Sequence, residues 1–384
     1  MIGTLAAALA GVAALPLLVL TAEAITGLRG LKTGASEQPK PRTTVIVPAH
    51  DEAGGIAATV IAIKASGIDI LVVADNCSDA TAAIARAAGA RAIERTDAIL
   101  RGKGHALAFA RDALADDPPE IVIVMDADCV PHDKALLQLA LRAAATGRAV
   151  QGRNELDTRA DDPPMTRISN FAFSLKNVVR QRGLMRIAGT CVLTGTGMAF
   201  PWAAFRDAPL ATADSVEDLV IGLALVRAGK LPLYVDDARV TSPPASGKAA
   251  ATQRTRWEHG FMATASKVAP QMIGHAIARG HWPSFWLGLH LLVPPLALTF
   301  GLATLTLLVI AALGLASSFV PAIALAAVMS IAGLAVLGGW RAIGRHILPL
   351  SVLLRVPLYI AWKLPIYLKL ARGADRRWTR TERD

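Results

Sequence analysis

Three apolar stretches of strand length, residues 43–47, 70–73 and 121–125, alternate with helix-forming segments, and each runs into an acid-containing cluster: HDEAGG, DNCSDAT and DADC. This alternation limits the fold more than any other feature. Strands separated by helices pair in parallel through right-handed crossovers, with both faces of the sheet covered. The three clusters then fall on one carboxyl edge, where open α/β sheets bind ligands. Within IVIVMDADC, Asp126 and Asp128 are two positions apart, so strand alternation projects them the same way. Carboxylates this close raise one pKa unless a cation or strong donors neutralise them, which makes the pair a candidate divalent-metal clamp. A solvated acidic turn is the plain alternative for an isolated D-x-D. No G-x-G-x-x-G or G-x-x-x-x-G-K-[ST] follows any strand, so dinucleotide and P-loop readings lose their main support.

The remainder of the chain asks for a membrane. Apolar residues make up 53% of it, above the usual soluble average. Residues 2–20 form a charge-free apolar run long enough to span a hydrocarbon core of about 30 Å as a helix. Ala22-Glu23-Ala24 imitates a signal cleavage site, but no positively charged segment precedes the run. Arg29, Lys32, Lys40 and Arg42 follow it instead, and positive charge marks the cytoplasmic flank. Residues 285–313 and 319–339 read as a transmembrane hairpin with both ends cytoplasmic, Trp282 and Trp340 lying near those ends. Residues 347–370 are interrupted by Arg355, Lys363 and Lys369 and by three prolines, so an amphipathic or broken helix in the cytoplasmic interface is expected, with the basic tail on anionic headgroups. The expected organisation is a transmembrane helix over 1–25, a linker over 26–42, a cytoplasmic α/β domain over 43–270, a membrane hairpin over 283–340, and an interfacial segment with its tail over 347–384. A bacterial inner membrane is the expected location of this multi-pass chain.

The net charge of +10 suits anionic lipid or phosphorylated substrates. No helix-turn-helix, zinc-finger or stacking platform is present, and nucleic acid is not an expected partner. Nothing in the sequence identifies a protein partner. Cys77, Cys129 and Cys191 are scattered without a C-x-x-C, against a disulfide framework or a zinc site.

Past residue 150 the periodicity is less regular. Residues 165–179 look helical, and LTGTGMAF at 193–200 is a glycine-punctuated strand or loop allowing close backbone approach. Residues 215–228 read as a helix capped by Ser215, with Glu217 and Asp218 in its first turn, where acids also serve the helix dipole. A strand is expected over 231–235 and a loop over 241–247. QRTRWEHG at 253–260 reads either as an interfacial belt or as a diphosphate grip by Arg256 beside a flat face from Trp257.

Taken in order, VIVPAHDE, VVADNCSDAT, MDADC, SVEDL and QRTRW resemble the membrane-integrated members of glycosyltransferase family 2, inverting GT-A enzymes that include cellulose, chitin and hyaluronan synthases and ceramide glucosyltransferase. The resemblance covers residues 43–260. It implies a GT-A nucleotide-sugar-binding domain of α/β class with a mostly parallel sheet, accompanied by transmembrane helices and the interfacial segment. It implies that His50, Asp51 and Glu52 lie at the nucleotide, that Asp75 accepts hydrogen bonds from uracil, and that Lys103 in RGKGHAL lies near the phosphates, an exposed loop lysine being the alternative. Asp126 would contact the nucleotide sugar or support Asp128, and the two would hold Mg²⁺ or Mn²⁺. Asp218 would be the base, with Glu217 beside it. Arg254 and Arg256 would neutralise the leaving diphosphate, while Gly195, Thr196, Gly197, Gln253 and Trp257 would shape the acceptor side. The sequence departs from the family pattern at His50, Ala74 and Val216, which stand where an aromatic phenol, an acid and a threonine are usual.

The implied activity is transfer of a sugar from a nucleotide-diphosphate donor, a UDP-sugar being expected, to a lipid or other membrane-held acceptor such as a saccharide. A processive polysaccharide synthase of the same family stays open as an alternative. A sugar nucleotidyltransferase would carry a glycine- and arginine-rich loop where HDEAGG stands, and a non-catalytic scaffold would be expected to lose Asp128 or Asp218.

Overall fold

The alternating segments build one sheet from β1 (Thr43–Ala49), β2 (Asp69–Asp75), β3 (Arg91–Arg95), β4 (Ile121–Val124), β5 (Val130–Pro131), β6 (Val150–Leu156), β7 (Met198–Pro201) and β8 (Leu233–Ser242), in the order β3-β2-β1-β4-β7-β6-β8-β5. The computed structural model describes residues 1–32, 39–212, 216–243, 247–315 and 318–371, excluding the side chains of 247–256, 362, 364–366 and 368–371. Ser215, most of the 34–41 linker and the basic tail after residue 371 lie outside the described residues. The chain divides into two units, one of Gly30–Asp157 with Gly189–Pro244, the other of Met1–Arg29, Thr158–Ala188 and Ala245–Asp384.

The first unit holds the sheet. Strands β3, β2, β1 and β4 are parallel, as the alternation requires, and the helices Ile56–Lys64, Thr81–Ala87 and Lys103–Ala113 supply intervening chain. Beyond β4 the sheet turns mixed: β7 is antiparallel to β4 and β6, β8 parallel to β6, and β5 antiparallel to β8. β1 is buried almost throughout because both of its faces are covered, which explains its nearly continuous apolar sequence. One core cluster joins Ile46, Val73, Leu107, Val124, Met198, Phe200 and Leu225. β3, reading RAIER, is a charged edge strand without an apolar run; β5, the opposite edge, has two residues. Charged or very short edges discourage further strand pairing.

The second unit is helical. The helices Ile2–Gly27, Leu296–Gly314 and the segment Val320–Gly344 are long and apolar enough to cross a membrane. Ala6, Ala10 and Leu17 pack with Ala303, Ile310, Ala322, Leu325 and Ala332, and the alanines among them let the helices approach closely. The first helix approaches the segment of residues 175–188 most closely at Gly27, where an added Cβ would lie 1.8 Å from the Val179 carbonyl oxygen, and at Gly183, where it would lie 2.0 Å from the Glu23 carbonyl oxygen. The helix expected over 165–179 instead runs from Pro164 to Ala188 with a π-helical turn at Leu175–Arg180. The stretch expected as one span from residue 285 to 313 is broken. Trp282–Leu291 and Leu296–Gly314 are separate helices, since Pro294 and Pro295 remove two successive N–H donors. Residues 347–370 contain the short helix Leu350–Leu353 followed by Val356–Ala371.

Candidate active site

The site is assembled in the sheet unit where β4 stops at Val124 and the chain turns through DADC. The turn is held from several sides. Met125 N donates to Ile46 O (3.0 Å), Cys129 N to Asp126 O (3.2 Å), Thr59 Oγ1 to Ala127 O (2.7 Å) and Asp126 N to Thr196 Oγ1 (3.2 Å). A turn beyond the strand, rather than strand alternation, therefore brings the acids together. One ligand atom from each of Asp126, Asp128 and Cys129 lies within 4.8 Å of the others. Cys129 is buried and shares a hydrogen bond with Ser242 Oγ (3.1 Å), and burial with the flanking carboxylates pushes its thiol well up. The half-buried carboxylates thus supply the donor set, and hard oxygens fit Mg²⁺ or Mn²⁺.

Lys103 opens the helix Lys103–Ala113 and reaches into this group. Its ammonium lies 2.5 Å from Asp126 Oδ1, 2.6 Å from Gly195 O and 3.6 Å from Glu217 Oε1. Burial alone would favour the neutral amine. Asp126 and Glu217, then Asp218, outweigh that cost and hold the charge above the ordinary lysine range. Lys103 is accordingly no exposed loop lysine; it joins three parts of the chain at one point.

The glycine loop is the second of those parts. Gly195 has φ +87°, and a Cβ there would stand 3.3 Å from Asp218 Oδ2 and 3.4 Å from Lys103 Nζ, so glycine allows the loop to approach both groups. Gln151 of β6 clamps the loop, accepting from Thr194 N (2.8 Å) and donating to Thr196 O (2.9 Å). Gly197 follows, also at positive φ. The third part is the helix Glu217–Arg227, which starts two residues later than expected, with Val216 at its cap position. Glu217 is buried, while Asp218 is half-buried and accepts from Leu219 N through Oδ1 (2.8 Å).

The other strand ends form a linked rim. His50 Nδ1 bonds to Asp75 O (2.7 Å), Asp51 Oδ1 accepts from Ser78 N (2.6 Å), and Glu52 N donates to Thr81 Oγ1 (2.8 Å). Asp51 also stands with Cys77 and Asp79 in a group within 4.8 Å, where burial pushes the Cys77 thiol up and Asp79 accepts from Ala53 N (3.0 Å) and Thr81 N (2.9 Å). That second group braces two loops. Asp75 is paired across the β2–β3 ladder with Arg95, whose Nη1 lies 2.6 Å from Asp75 Oδ1 and whose Nη2 donates to Leu100 O (2.6 Å). Asn76 Nδ2 adds a bond to the same Asp75 oxygen (3.1 Å).

Arg95 and Gln151 were not among the residues expected at the site. The buried polar positions of VQGRNEL in β6 offered a signal for Gln151; nothing local marked Arg95. Gln253, Arg254 and Arg256 lie on the helix Gly247–Arg279 of the other unit, with their side chains outside the described residues. Trp257 on that helix is half-buried and packs against Phe173, ring centres 5.9 Å apart.

Residues 41–260 match the family model described as glycosyltransferase like family 2. In fold the chain is similar to the mannosyltransferase PcManGT from Pyrobaculum calidifontis, solved in complex with GDP-Man and Mn²⁺, at 19% identity and TM-score 0.61, over 98% of this chain and 100% of that one. A further similarity, at 18% identity and TM-score 0.42, is to glucosyl-3-phosphoglycerate synthase from Mycobacterium tuberculosis in complex with Mn²⁺, UDP-glucose and phosphoglyceric acid, over 62% of this chain and 85% of that one. No curated protein matches the sequence.

Proposed function

The chain belongs to glycosyltransferase-like family 2 and is a glycosyltransferase, and from that premise we propose that it moves a sugar, with inversion, from a UDP-sugar to a lipid acceptor at the cytoplasmic face of a bacterial inner membrane. The observation that carries this reading is the Lys103 ammonium, which ties Asp126 of the DADC turn to the Gly195 loop and to Glu217 beside Asp218. Donor-holding and base residues are thereby held by one cation.

Asp218 accepts the proton of the acceptor hydroxyl. The acceptor oxygen bonds to the anomeric carbon as the bond from that carbon to the diphosphate breaks, and the nucleoside diphosphate leaves. Lys103 holds Asp126 and stands beside Glu217, and the Gly195 loop leaves room next to Asp218. Asp126 and Asp128 would hold Mg²⁺ or Mn²⁺, which supplies charge neutralisation for the leaving diphosphate when bound. Arg254 and Arg256 are proposed to face the diphosphate, and Gln253 and Trp257 the acceptor. His50, Asp51 and Glu52 are proposed to line the nucleotide.

The uracil preference draws support from Asp75. Arg95 and Asn76 occupy Oδ1, and among the described residues no hydrogen bond is made to Oδ2, which is proposed to take the base. One acceptor suits the imide N–H of uracil, whereas the adjacent N1–H and N2–H of guanine ask for two. The three candidate spans support single transfer over processive synthesis and export. The test is to incubate the full chain, purified in membrane, with Mn²⁺, extracted lipids and a panel of UDP- and GDP-sugars. Release of UDP and one labelled sugar per lipid is expected. A preference for GDP-sugars would overturn the base assignment, and release of no nucleotide from any donor would overturn the activity.

A further inference from the structure

Arg95 takes no part in the transfer steps above, yet its guanidinium joins three parts of the sheet edge. It ends β3, in register with Asp75 at the end of β2. Its Nη1 donates to Asp75 Oδ1 (2.6 Å), and its Nη2 donates to Leu100 O (2.6 Å) and to Asp97 Oδ2 (3.3 Å). The side chains of Arg95 and Asp75 are each 10% exposed. The backbone closes the same ring, Asn76 N donating to Arg95 O (2.7 Å) and Asp97 N to Asn76 Oδ1 (2.8 Å).

The loop after β3 fixes the guanidinium from behind. Asp97 Oδ1 accepts from Ile99 N (2.9 Å) and Leu100 N (2.8 Å), a side-chain-closed turn that presents the Leu100 carbonyl to Arg95. Ile99 is 88% exposed and Leu100 49%, so burial of these side chains does little to hold the loop. The polar bonds hold it. Arg95 is therefore braced on one side by the loop and aimed on the other at a single oxygen of Asp75.

That oxygen decides which base fits. Asp75 Oδ1 already accepts from Arg95 Nη1 and from Asn76 Nδ2 (3.1 Å). Uracil carries one N–H between two carbonyls, and so asks for one acceptor with donors beside it. Guanine carries two adjacent N–H groups and asks for both carboxylate oxygens. With Oδ1 taken, the second N–H of guanine meets a committed acceptor and the two donors bonded to it. A donor buried against donors loses its water and gains no partner, which rejects the wrong base more firmly than a missing contact selects the right one.

We infer that Arg95 is a specificity-determining positioning residue: by occupying Asp75 Oδ1 it sets the site for uracil against guanine. The inference rests on the uracil reading above, in which Asp75 touches the base and Arg95 acts through Asp75.

The test measures UDP and GDP affinity by calorimetry, with Mn²⁺ and without a sugar donor, on the full chain in phosphatidylcholine nanodiscs. The wild type should prefer UDP. Arg95→Met frees Oδ1; UDP affinity should fall, GDP affinity should rise, and the ratio between them should shrink about 10- to 100-fold, the order of one or two hydrogen bonds to a charged group. Arg95→Lys should recover most of the ratio, because Asp75 is contacted through one nitrogen and an ammonium keeps a donor there. Asn76→Gly removes the other donor at a residue of positive φ, where glycine is at ease, and should move the ratio the same way by less. Equal weakening of UDP and GDP by Arg95→Met would make Arg95 a brace alone and overturn the inference. If Arg95→Met does not fold, an unchanged ratio in Asn76→Gly and Arg95→Lys overturns it instead. Asp75→Ala separates the two readings: unaltered UDP affinity there removes the uracil assignment and the role of Arg95 with it, whereas lost UDP affinity with an unmoved ratio in Arg95→Met removes the role of Arg95 alone.

Discussion

Lys103, half-buried in the sheet unit, and Arg180, buried in the helical unit, are both cations held by carboxylates, and they differ in what their partners have left over. Arg180 Nε donates to Glu23 Oε2 (2.7 Å), and its Nη2 lies 3.1 Å from His290 Nδ1. Glu23 Oε1 is taken by His290 Nδ1 (2.8 Å) and Trp286 Nε1 (3.2 Å). Glu23 and His290 are almost fully enclosed, so the group is closed. Lys103 instead binds Asp126, whose side chain remains 38% exposed and stands beside Asp128 and Cys129. A closed ion group fixes helices to one another. An open one keeps acids aimed while leaving part of their surface open to something that arrives from solution.

The comparison breaks first at Asp218, which the charge of Lys103 reaches and the Gly195 loop approaches. Asp218→Asn should lower turnover about 10³-fold or more while UDP affinity, read by calorimetry, is kept; turnover like that of the wild type removes Asp218 as the base. Next in size is Arg180→Met, which strands Glu23 and should cost about 3–5 kcal/mol of stability in a denaturation series, with activity per folded molecule retained. The double variant Glu23→Leu with Arg180→Met sharpens the point: it should recover most of that stability, since an apolar pair can replace a closed ion pair. No recovery would give the closed group a part beyond holding helices. The smallest effect is expected from Lys103→Met, a loss of about 10- to 100-fold in kcat/KM, the order of one or two charge-assisted hydrogen bonds. Because the folded pKa of Lys103 is raised, its stabilising contribution is complete below the ordinary lysine value of about 10.4 and is lost only as the pH rises past the folded value. Its titration should therefore add no alkaline limb to the rate profile below about pH 10.

How far the sequence foretells each group follows from the distance over which its bonds act. β1, β2 and β4 are legible because burial on both faces turns them into apolar runs, and their acidic ends mark the edge of the sheet. Asp126, Asp128, Glu217 and Asp218 are legible as an ordered set of short motifs. β3 and β6 are not, since RAIER and VQGRNEL carry polar side chains that are satisfied by tertiary bonds, Arg95 to Asp75 and Gln151 to the Gly195 loop. The partners of Lys103 lie as far as 114 residues along the chain, at Glu217, beyond any local periodicity. The proline break between Leu291 and Leu296 was in plain view, but a hydropathy reading outweighs two prolines in a long apolar stretch.

The closed group also bears on how the protein is made. Glu23 emerges from the ribosome on the first apolar helix, whereas Arg180 follows 157 residues later and His290 267 residues behind Glu23. At about 5–20 residues per second, roughly 8–30 s of synthesis pass before the first partner exists. Glu23 is four residues from the end of its helix, where water serves as its temporary partner. The helix thus forms before its carboxylate is claimed, and its final rotation against its neighbours is fixed only when the last third of the chain arrives.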